Sequence, residues 1–281
     1  MISYRTEEHV RGTQSQKNRL KTSKQQSISP PKSSCRSSQS LPLTLDSQAA
    51  KAMPISPPEG TGVGGLYRCI VDYNHQPFSI TWSGSQEYPD LESFPSLKNA
   101  ELLSVQQSSE AAAVWKNSEL LDYGTHASIR ITEHGSFPVL KLAHSDEVSM
   151  KLIQYEFDIL AKLTEQGLPV VDYDHEPILE NGVVCGYRME KLSKIEASEL
   201  RLRAEDIKQA IDQFHRVGFS HGDVGPSNIM TKDGRITLID LSFAGQLGTT
   251  VPSFFPSWVY SDGRFDIGSE LERFDRYIVP K

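Results

Sequence analysis

Residues 220–242 read SHGDVGPSNIMTKDGRITLIDLS, and this stretch decides the fold. Asp223 and Asn228 lie five residues apart in a short loop, and Asp240 follows twelve residues later, near the end of the apolar stretch ITLIDL. An Asp-Gly pair at 233–234 predicts the turn between the loop and that strand. Phosphoryl transfer from ATP requires a carboxylate near the attacking hydroxyl and oxygen ligands for magnesium, and these three side chains can provide both.

The motif HGDVGPSN resembles the catalytic loop of the protein-kinase superfamily, which in its eukaryotic form reads H-R-D-x-x-x-x-N, and LIDLS is similar to its D-F-G motif. Each motif alone is weakly specific, but their order and separation together are strongly so. The resemblance implies that Asp223 positions or deprotonates the substrate hydroxyl and that Asn228 and Asp240 hold the metal. It also implies that His221 supports the loop by packing and hydrogen bonding.

Upstream, the apolar strand 137–143 contains one charged residue, Lys141. A helix is predicted to follow, with Ser145 as its cap and with Glu156 as the one acid on a stripe of leucines. The resemblance implies that Lys141 contacts the ATP phosphates and pairs with Glu156. The alternative is an exposed lysine and an unrelated glutamate. An unpaired buried lysine would be costly, so the paired arrangement is expected.

Three further positions enter through the resemblance. Gly124, in YGTHASI, corresponds to the phosphate-covering loop, although the family pattern has three glycines there and this chain keeps one. A plain turn is the alternative for Gly124. Glu190 and Leu192 match the connector between lobes, whose backbone binds adenine in the family, with Met189 behind the base. An ordinary strand end is the alternative at the connector.

These elements predict an α+β, bilobal protein-kinase-like fold. It has an N-terminal antiparallel sheet lobe with one helix, a shortened helical C-lobe and a disordered N-terminal tail. We assign 1–62 to a disordered, basic tail rich in Ser, Gln and Pro. The sequence of 63–111 is ambiguous, and we assign it to a short segment that can form a hairpin. The kinase-like domain is assigned to 112–281, with the N-lobe at about 112–190 and the C-lobe at about 191–281. Within it, 114–121 is predicted as the first strand and 204–217 as a helix.

Composition limits which partners and which cellular compartment are expected. Residues 1–60 carry nine Lys or Arg against four Asp or Glu, whereas 61–281 carry 20 against 32. A solvated leader is the expected meaning of this basic tail, so nucleic acid is not an expected partner beyond an electrostatic contact with it. Three widely spaced cysteines indicate a reducing intracellular compartment, cytoplasm or nucleus. No apolar run is long enough to span a membrane, and acids near the start disfavour a mitochondrial leader.

The chain departs from the family pattern in several places. Gly222 replaces the arginine of H-R-D, Leu241 and Ser242 replace the last two residues of D-F-G, and no A-P-E motif is present. Only 58 residues follow Asp223, and among them 269–278 is predicted as one helix. Four aromatic side chains in this part are expected to pack in the core, or to form a partner surface if exposed; they are Phe254, Phe255, Trp258 and Tyr260.

Three functions are compatible with these features. The first is a minimal kinase that binds ATP with Mg²⁺ and phosphorylates a hydroxyl, with Ser or Thr of an unidentified protein substrate as the expected acceptor. The second is a pseudokinase that acts as a nucleotide-binding or interaction module. The third is a small-molecule phosphotransferase, since the H-G-D form also occurs in aminoglycoside and choline phosphotransferases. The sequence leaves the oligomeric state open.

Overall fold

The computed structural model describes residues 51–61 and 64–279. Residues 53–104 contain a five-stranded antiparallel sheet. Its strands are β1 (Met53–Pro54), β2 (Glu59–Gly60), β3 (Leu66–Tyr73), β4 (Gln76–Ser83) and β5 (Ala100–Ser104). They pair in the order β1-β3-β4-β5, and β2 also pairs with β3. Asn74 and His75 join β3 to β4 with φ angles of 55° and 57°, the backbone of a tight hairpin turn. The sheet is therefore larger than the hairpin expected between 63 and 111.

The predicted limit of the disordered tail at residue 62 is wrong. Residues 1–50 lie outside the described part of the chain, but 51–61 form β1 and β2. Ile55 is fully buried, and its N–H donates to the carbonyl of Ile70 at 2.8 Å. The Ser56 hydroxyl accepts the N–H of Ile70 at 2.7 Å. This order depends on pairing with a distant strand, which local composition does not reveal.

The predicted first strand, 114–121, is wrong in its first part, because helix α1 (Ser109–Lys116) occupies 114–116. Ser108 caps the helix by accepting the N–H of Ala111 at 3.2 Å, and three consecutive alanines favour the helical state. Trp115 has the character of a strand residue but is buried as a helix residue. The strand itself begins at Glu119.

A second antiparallel sheet follows, and it carries most of the predicted upper lobe. Its strands are β6 (Glu119–Tyr123), β7 (Ala127–Ile131), β8 (Val139–Ala143), β9 (Ile178–Glu180) and β10 (Val183–Met189), in the order β6-β7-β8-β10-β9. Helix α2 (Glu147–Glu165) packs on one face. Its cap is Asp146, which accepts the Ser149 N–H at 2.9 Å, and not the predicted Ser145.

The other face of this sheet is covered by the N-terminal sheet and α1. Side chains alternate along β8, so Leu140 and Leu142 point away from the face that carries Lys141. These leucines join a buried cluster with Ile55 and Trp115. The 51–116 segment is consequently part of the structural support of the lobe.

His144, at the end of β8, connects the N-terminal segment to the β6–β7 turn. Its Nε2 lies 2.9 Å from the carbonyl oxygen of Ile55, and its Nδ1 lies 3.0 Å from that of Thr125. Burial lowers the pKa of His144 below its ordinary 6.5 and outweighs the opposing effects of both carbonyls and of Asp146. In the unfolded chain the imidazole therefore takes up a proton at higher pH than in the folded protein.

This difference predicts a pH-dependent stability. The contribution of His144 is fully present above the unfolded pKa of about 6.5 and is lost as the pH falls from there towards the lower folded pKa. Urea denaturation between about pH 5 and pH 8 should show a larger acid loss for the wild type than for His144→Asn, which cannot titrate. Equal acid losses in the two proteins would contradict this prediction.

The lower lobe contains short strands and three helices, joined to the upper lobe after β10. Its elements are β11 (Ser193–Lys194), α3 (Ala197–Leu202), α4 (Ala204–Arg216), β12 (Phe219–Ser220), β13 (Ile229–Lys232), β14 (Arg235–Leu238), β15 (Gly245–Gln246) and α5 (Gly268–Tyr277). One buried cluster joins both lobes through Leu160 of α2, Phe214 of α4 and Phe274 of α5. The predicted two-lobed α+β fold with a shortened helical lobe is confirmed. None of the helices in 51–61 or 64–279 combines the length and the apolar character that a membrane crossing requires.

Candidate functional site

The centre of the site is a buried lysine between two carboxylates. Lys141 Nζ lies 2.7 Å from Glu156 Oε2 and 2.8 Å from Asp240 Oδ1. Burial opposes the charge on Lys141, but Asp240 and Glu156 outweigh it and hold the lysine pKa above its ordinary value. The structure thus brings together the strand lysine, the helix glutamate and the aspartate that follows β14.

Glu156 is fully buried and accepts hydrogen bonds from four groups. Besides Lys141, the Tyr187 hydroxyl donates at 3.0 Å, the Leu241 N–H at 2.9 Å and the Ser242 hydroxyl at 2.9 Å. Burial, followed by the nearby carboxylates, raises the pKa of Tyr187 well above its usual value, so it remains a donor. Leu241 and Ser242 belong to the LIDLS motif, but the sequence does not predict that they donate to Glu156, and Tyr187 belongs to no recognised motif.

Asp240 has an uncommon left-handed backbone, with φ of 59°. Burial would raise the pKa of its carboxyl, but the charge and hydrogen bond of Lys141 lower it to about 2. Asp240 is therefore ionised at neutral pH. Its side chain is still 41% exposed, which leaves the carboxylate accessible to a cation from the cleft.

The loop between β12 and β13 is ordered by its own side chains. Buried His221 places Nε2 at 3.0 Å from the Ile239 carbonyl, and its Nδ1 accepts the Asp223 N–H at 3.3 Å. An imidazole that accepts through Nδ1 carries its proton on Nε2, which matches the carbonyl partner. The Asn228 amide donates to the Asp223 carbonyl at 2.9 Å. His221 consequently supports the loop from within and does not face the cleft.

Asp223 is partly exposed and has a cationic neighbour that the sequence does not predict. Arg273 Nη1 on α5 lies 2.7 Å from Asp223 Oδ1. Burial and then the charge of Asp240 raise the pKa of Asp223, and Arg273 counteracts both. Buried Glu270 on the same helix accepts the His221 N–H at 3.2 Å and contacts His215 Nε2 at 3.1 Å. The helical spacing predicts α5. It does not predict that Glu270 and Arg273 face the loop, because charged residues on a short helix are ordinarily expected to face solvent.

The connector residues are placed at the end of β10. Met189 is buried, and the N–H of Glu190 donates to the Asp172 carbonyl at 2.9 Å. The Glu190 carboxylate pairs with Lys232 at 2.6 Å, so its side chain belongs to a surface ion pair. Leu192 is partly buried against the main core. Contact between the Glu190 backbone and adenine stays a prediction.

Gly124 lies in the turn between β6 and β7, where its N–H donates to the Ala127 carbonyl at 2.8 Å. A Cβ built on Gly124 would meet no atom closer than 3.9 Å, so the fold itself does not require glycine here. Tyr123, the last residue of β6 before this turn, has its hydroxyl 3.2 Å from that of Tyr88. The start of the turn therefore contacts the loop between β4 and β5.

Asn228 and Asp240 suit magnesium by their chemistry. The Asn228 amide nitrogen is directed at the Asp223 carbonyl, and its Oδ1 accepts the Ser227 hydroxyl at 3.3 Å, which leaves that oxygen a second lone pair for a cation. Asp240 adds an ionised carboxylate. Magnesium is commonly bound by one or two protein oxygens together with substrate phosphates and water. Over the described ranges, no cluster of three or more His, Cys, Asp or Glu side chains could form a metal cage.

Comparison with known proteins places the site within a matched region. Residues 117–248 match the family model of the RIO domain, an atypical protein-kinase-like family. Among solved structures, the kinase PK-1 of Cydia pomonella granulovirus is similar at 14% identity and a TM-score of 0.35. The match covers 52% of this chain and 61% of the viral chain. A search of curated proteins found no match.

Proposed function

We propose that this chain, whose residues 117–248 match the family model of the RIO domain, transfers the γ-phosphate of ATP to a hydroxyl, with protein Ser or Thr as the acceptor. The observation that carries this proposal is the Lys141 ion pair with both Glu156 and Asp240. A lysine held by two carboxylates has a fixed position from which it can contact phosphate oxygens. All polar groups that transfer requires are present around it.

In the proposed reaction, the acceptor oxygen bonds to the γ-phosphorus of ATP. The bond from that phosphorus to the bridging β-phosphate oxygen breaks, and ADP leaves with the electron pair. Asp223 accepts the hydroxyl proton as the acceptor attacks. Asn228 and Asp240 would hold magnesium, which when bound neutralises charge on the phosphate oxygens.

Two observations favour the second candidate, a pseudokinase. The β6–β7 turn has one glycine, and contacts of Tyr123 with Tyr88 and of Thr125 with His144 hold it in place. A turn held in this way adapts less readily to phosphate than a glycine-rich loop. Under this second candidate function, the protein binds a nucleotide but does not transfer its phosphate.

The first experiment measures transfer of radiolabelled γ-phosphate from Mg–ATP to a generic protein substrate. Asp223→Ala is expected to lose roughly 10²–10⁴-fold in rate, because it removes the proton acceptor. Asp212→Ala is the matched control, since Asp212 forms an exposed pair with Lys208 on α4. It is expected to retain the wild-type rate.

The outcomes separate the candidate functions. Nucleotide binding without transfer in the wild type would favour the pseudokinase. Transfer to an amino sugar or choline, with no protein labelled, would favour the small-molecule phosphotransferase. Equal rates in the wild type and Asp223→Ala would remove Asp223 from the mechanism.

A further inference from the structure

Helix α5 contacts three consecutive residues of the loop that carries Asp223. Its residues Glu270 and Arg273 lie three apart and so share one face of the helix. Glu270 accepts the His221 N–H at 3.2 Å, while Arg273 Nη1 donates to the Gly222 carbonyl at 2.7 Å and to Asp223 Oδ1 at 2.7 Å. The C-terminal helix thus holds both the backbone and the side chain of the loop.

Asp223 has its two carboxylate oxygens held by different elements. Oδ1 accepts from Arg273, and Oδ2 lies 3.2 Å from the Asn228 amide nitrogen. Two donors on opposite oxygens fix the plane of a carboxylate, whereas one donor leaves it free to rotate. The orientation of Asp223 consequently depends on α5 as well as on its own loop.

Arg273 is itself held by an aromatic ring. Its guanidinium carbon lies 5.1 Å from the ring centroid of Trp258, and the Trp258 ring meets Phe243 edge-on at 5.7 Å. Trp258 is 62% exposed, which is unusual for so large an apolar side chain. A ring in this position supports the guanidinium by a cation–π contact and keeps it over Asp223.

We propose that Arg273 is a positioning residue of the site, which orients the Asp223 carboxylate towards the acceptor hydroxyl and is held in place by Trp258. This proposal rests on the phosphotransferase function proposed above. Two charged side chains of α5 contact the loop that carries Asp223 directly.

The test compares Arg273→Gln and Arg273→Lys with Arg276→Gln. Arg276 is exposed on the same helix and pairs with Glu272, so its variant controls for any general effect of removing a charge from α5. Arg273→Gln is expected to lower kcat about 10- to 100-fold with KM for ATP unchanged, because a misplaced Asp223 affects the chemical step. Arg273→Lys should recover part of kcat, since it retains the charge but lacks the planar fork. Arg276→Gln should equal the wild type.

A double-mutant cycle on stability supplies a readout that needs no turnover. Unfolding constants are measured in urea for the wild type, Asp223→Ala, Arg273→Gln and the double variant. The double variant is expected to differ from the product of the single effects by about tenfold. If the wild type transfers no phosphate, the proposed function fails, and the cycle alone decides whether the Arg273–Asp223 contact holds.

Three results would overturn the positioning role. One is a wild-type kcat in Arg273→Gln. Another is strict additivity in the cycle. The third applies if Arg273→Gln fails to fold. Arg273→Lys is then the variant for the kinetic test, and a wild-type kcat in Arg273→Lys would overturn the positioning role.

Discussion

Replacing Asp72 by alanine is expected to lower the free energy of unfolding by about 3–5 kcal/mol, because it leaves a buried arginine without its counter-charge. Arg130 Nη1 lies 2.7 Å from Asp72 Oδ2, and the arginine is completely buried. Its other donors reach Ser118 and the Trp115 carbonyl, which are neutral. Those contacts hold the guanidinium in place but cannot balance its charge.

The measurement is urea denaturation of the wild type beside Asp72→Ala and Asp212→Ala. The second variant removes the same side chain from an exposed ion pair on α4, where a change within about 1 kcal/mol is expected. A similarly small effect for Asp72→Ala would mean that the Arg130 pair is not needed to join β3 of the N-terminal sheet to β7. The ion pair could then not be counted as part of the support that the N-terminal sheet gives the lobe.

Asp72→Ala also tests whether this support affects the site. Arg130 lies on β7 beside Ile129, and Ile129 is the register partner of Lys141 on β8. Displacement of β7 would therefore be transmitted to the strand that carries the lysine. Loss of stability together with weaker nucleotide binding is the expected pattern for the variant.

The parts of the fold that the sequence predicts are those with a strong local or periodic signal. The stripe on α2 that includes Glu156, the apolar strand with Lys141 and the loop from His221 to Asn228 each lie within one continuous segment. Asp240 is also predictable, because it follows a strand whose turn is marked by Asp233-Gly234. Each of these side chains is found either in the ion pairs of Lys141 with Glu156 and Asp240 or in the loop between β12 and β13.

What the sequence does not reveal depends on contacts between distant segments. Glu270 and Arg273 are charged residues on a short amphipathic helix, and charge patterning alone assigns them to solvent. They face the loop because burial of Phe274 and Ile278 in the main core, which also contains Phe214 of α4, turns that side of α5 inwards. The order of 51–61 has the same origin, since Ile55 is buried only when β3 is present. The wrong strand at 114–121 arose because Trp115 favours strands, whereas the Ser108 cap favours a helix.

The absence of an arginine between His221 and Asp223 has a direct steric cause. Gly222 has φ of 82°, and a Cβ there would lie 2.3 Å from the Phe243 carbonyl oxygen and 2.4 Å from the Tyr260 hydroxyl. Tyr260 donates to that same carbonyl at 3.0 Å, so the space beside the loop is filled by a segment from the C-terminal part of the chain. A side chain at 222 could not enter without moving backbone.

Gly222→Ala is accordingly expected to destabilise the protein by about 2–5 kcal/mol, the sum of a left-handed backbone penalty and overpacking. Transfer should fall in the protein that remains folded, because Asp223 follows directly and its position depends on the same backbone. Gly218→Ala separates the two causes, since Gly218 has the same φ of 82° but no atom within 4 Å of the added Cβ. Denaturation and transfer assays on both variants should show only the backbone penalty for Gly218→Ala and no loss of transfer. If Gly222→Ala behaved like Gly218→Ala, the packing of Tyr260 and Phe243 against the loop would not be what excludes a side chain at position 222.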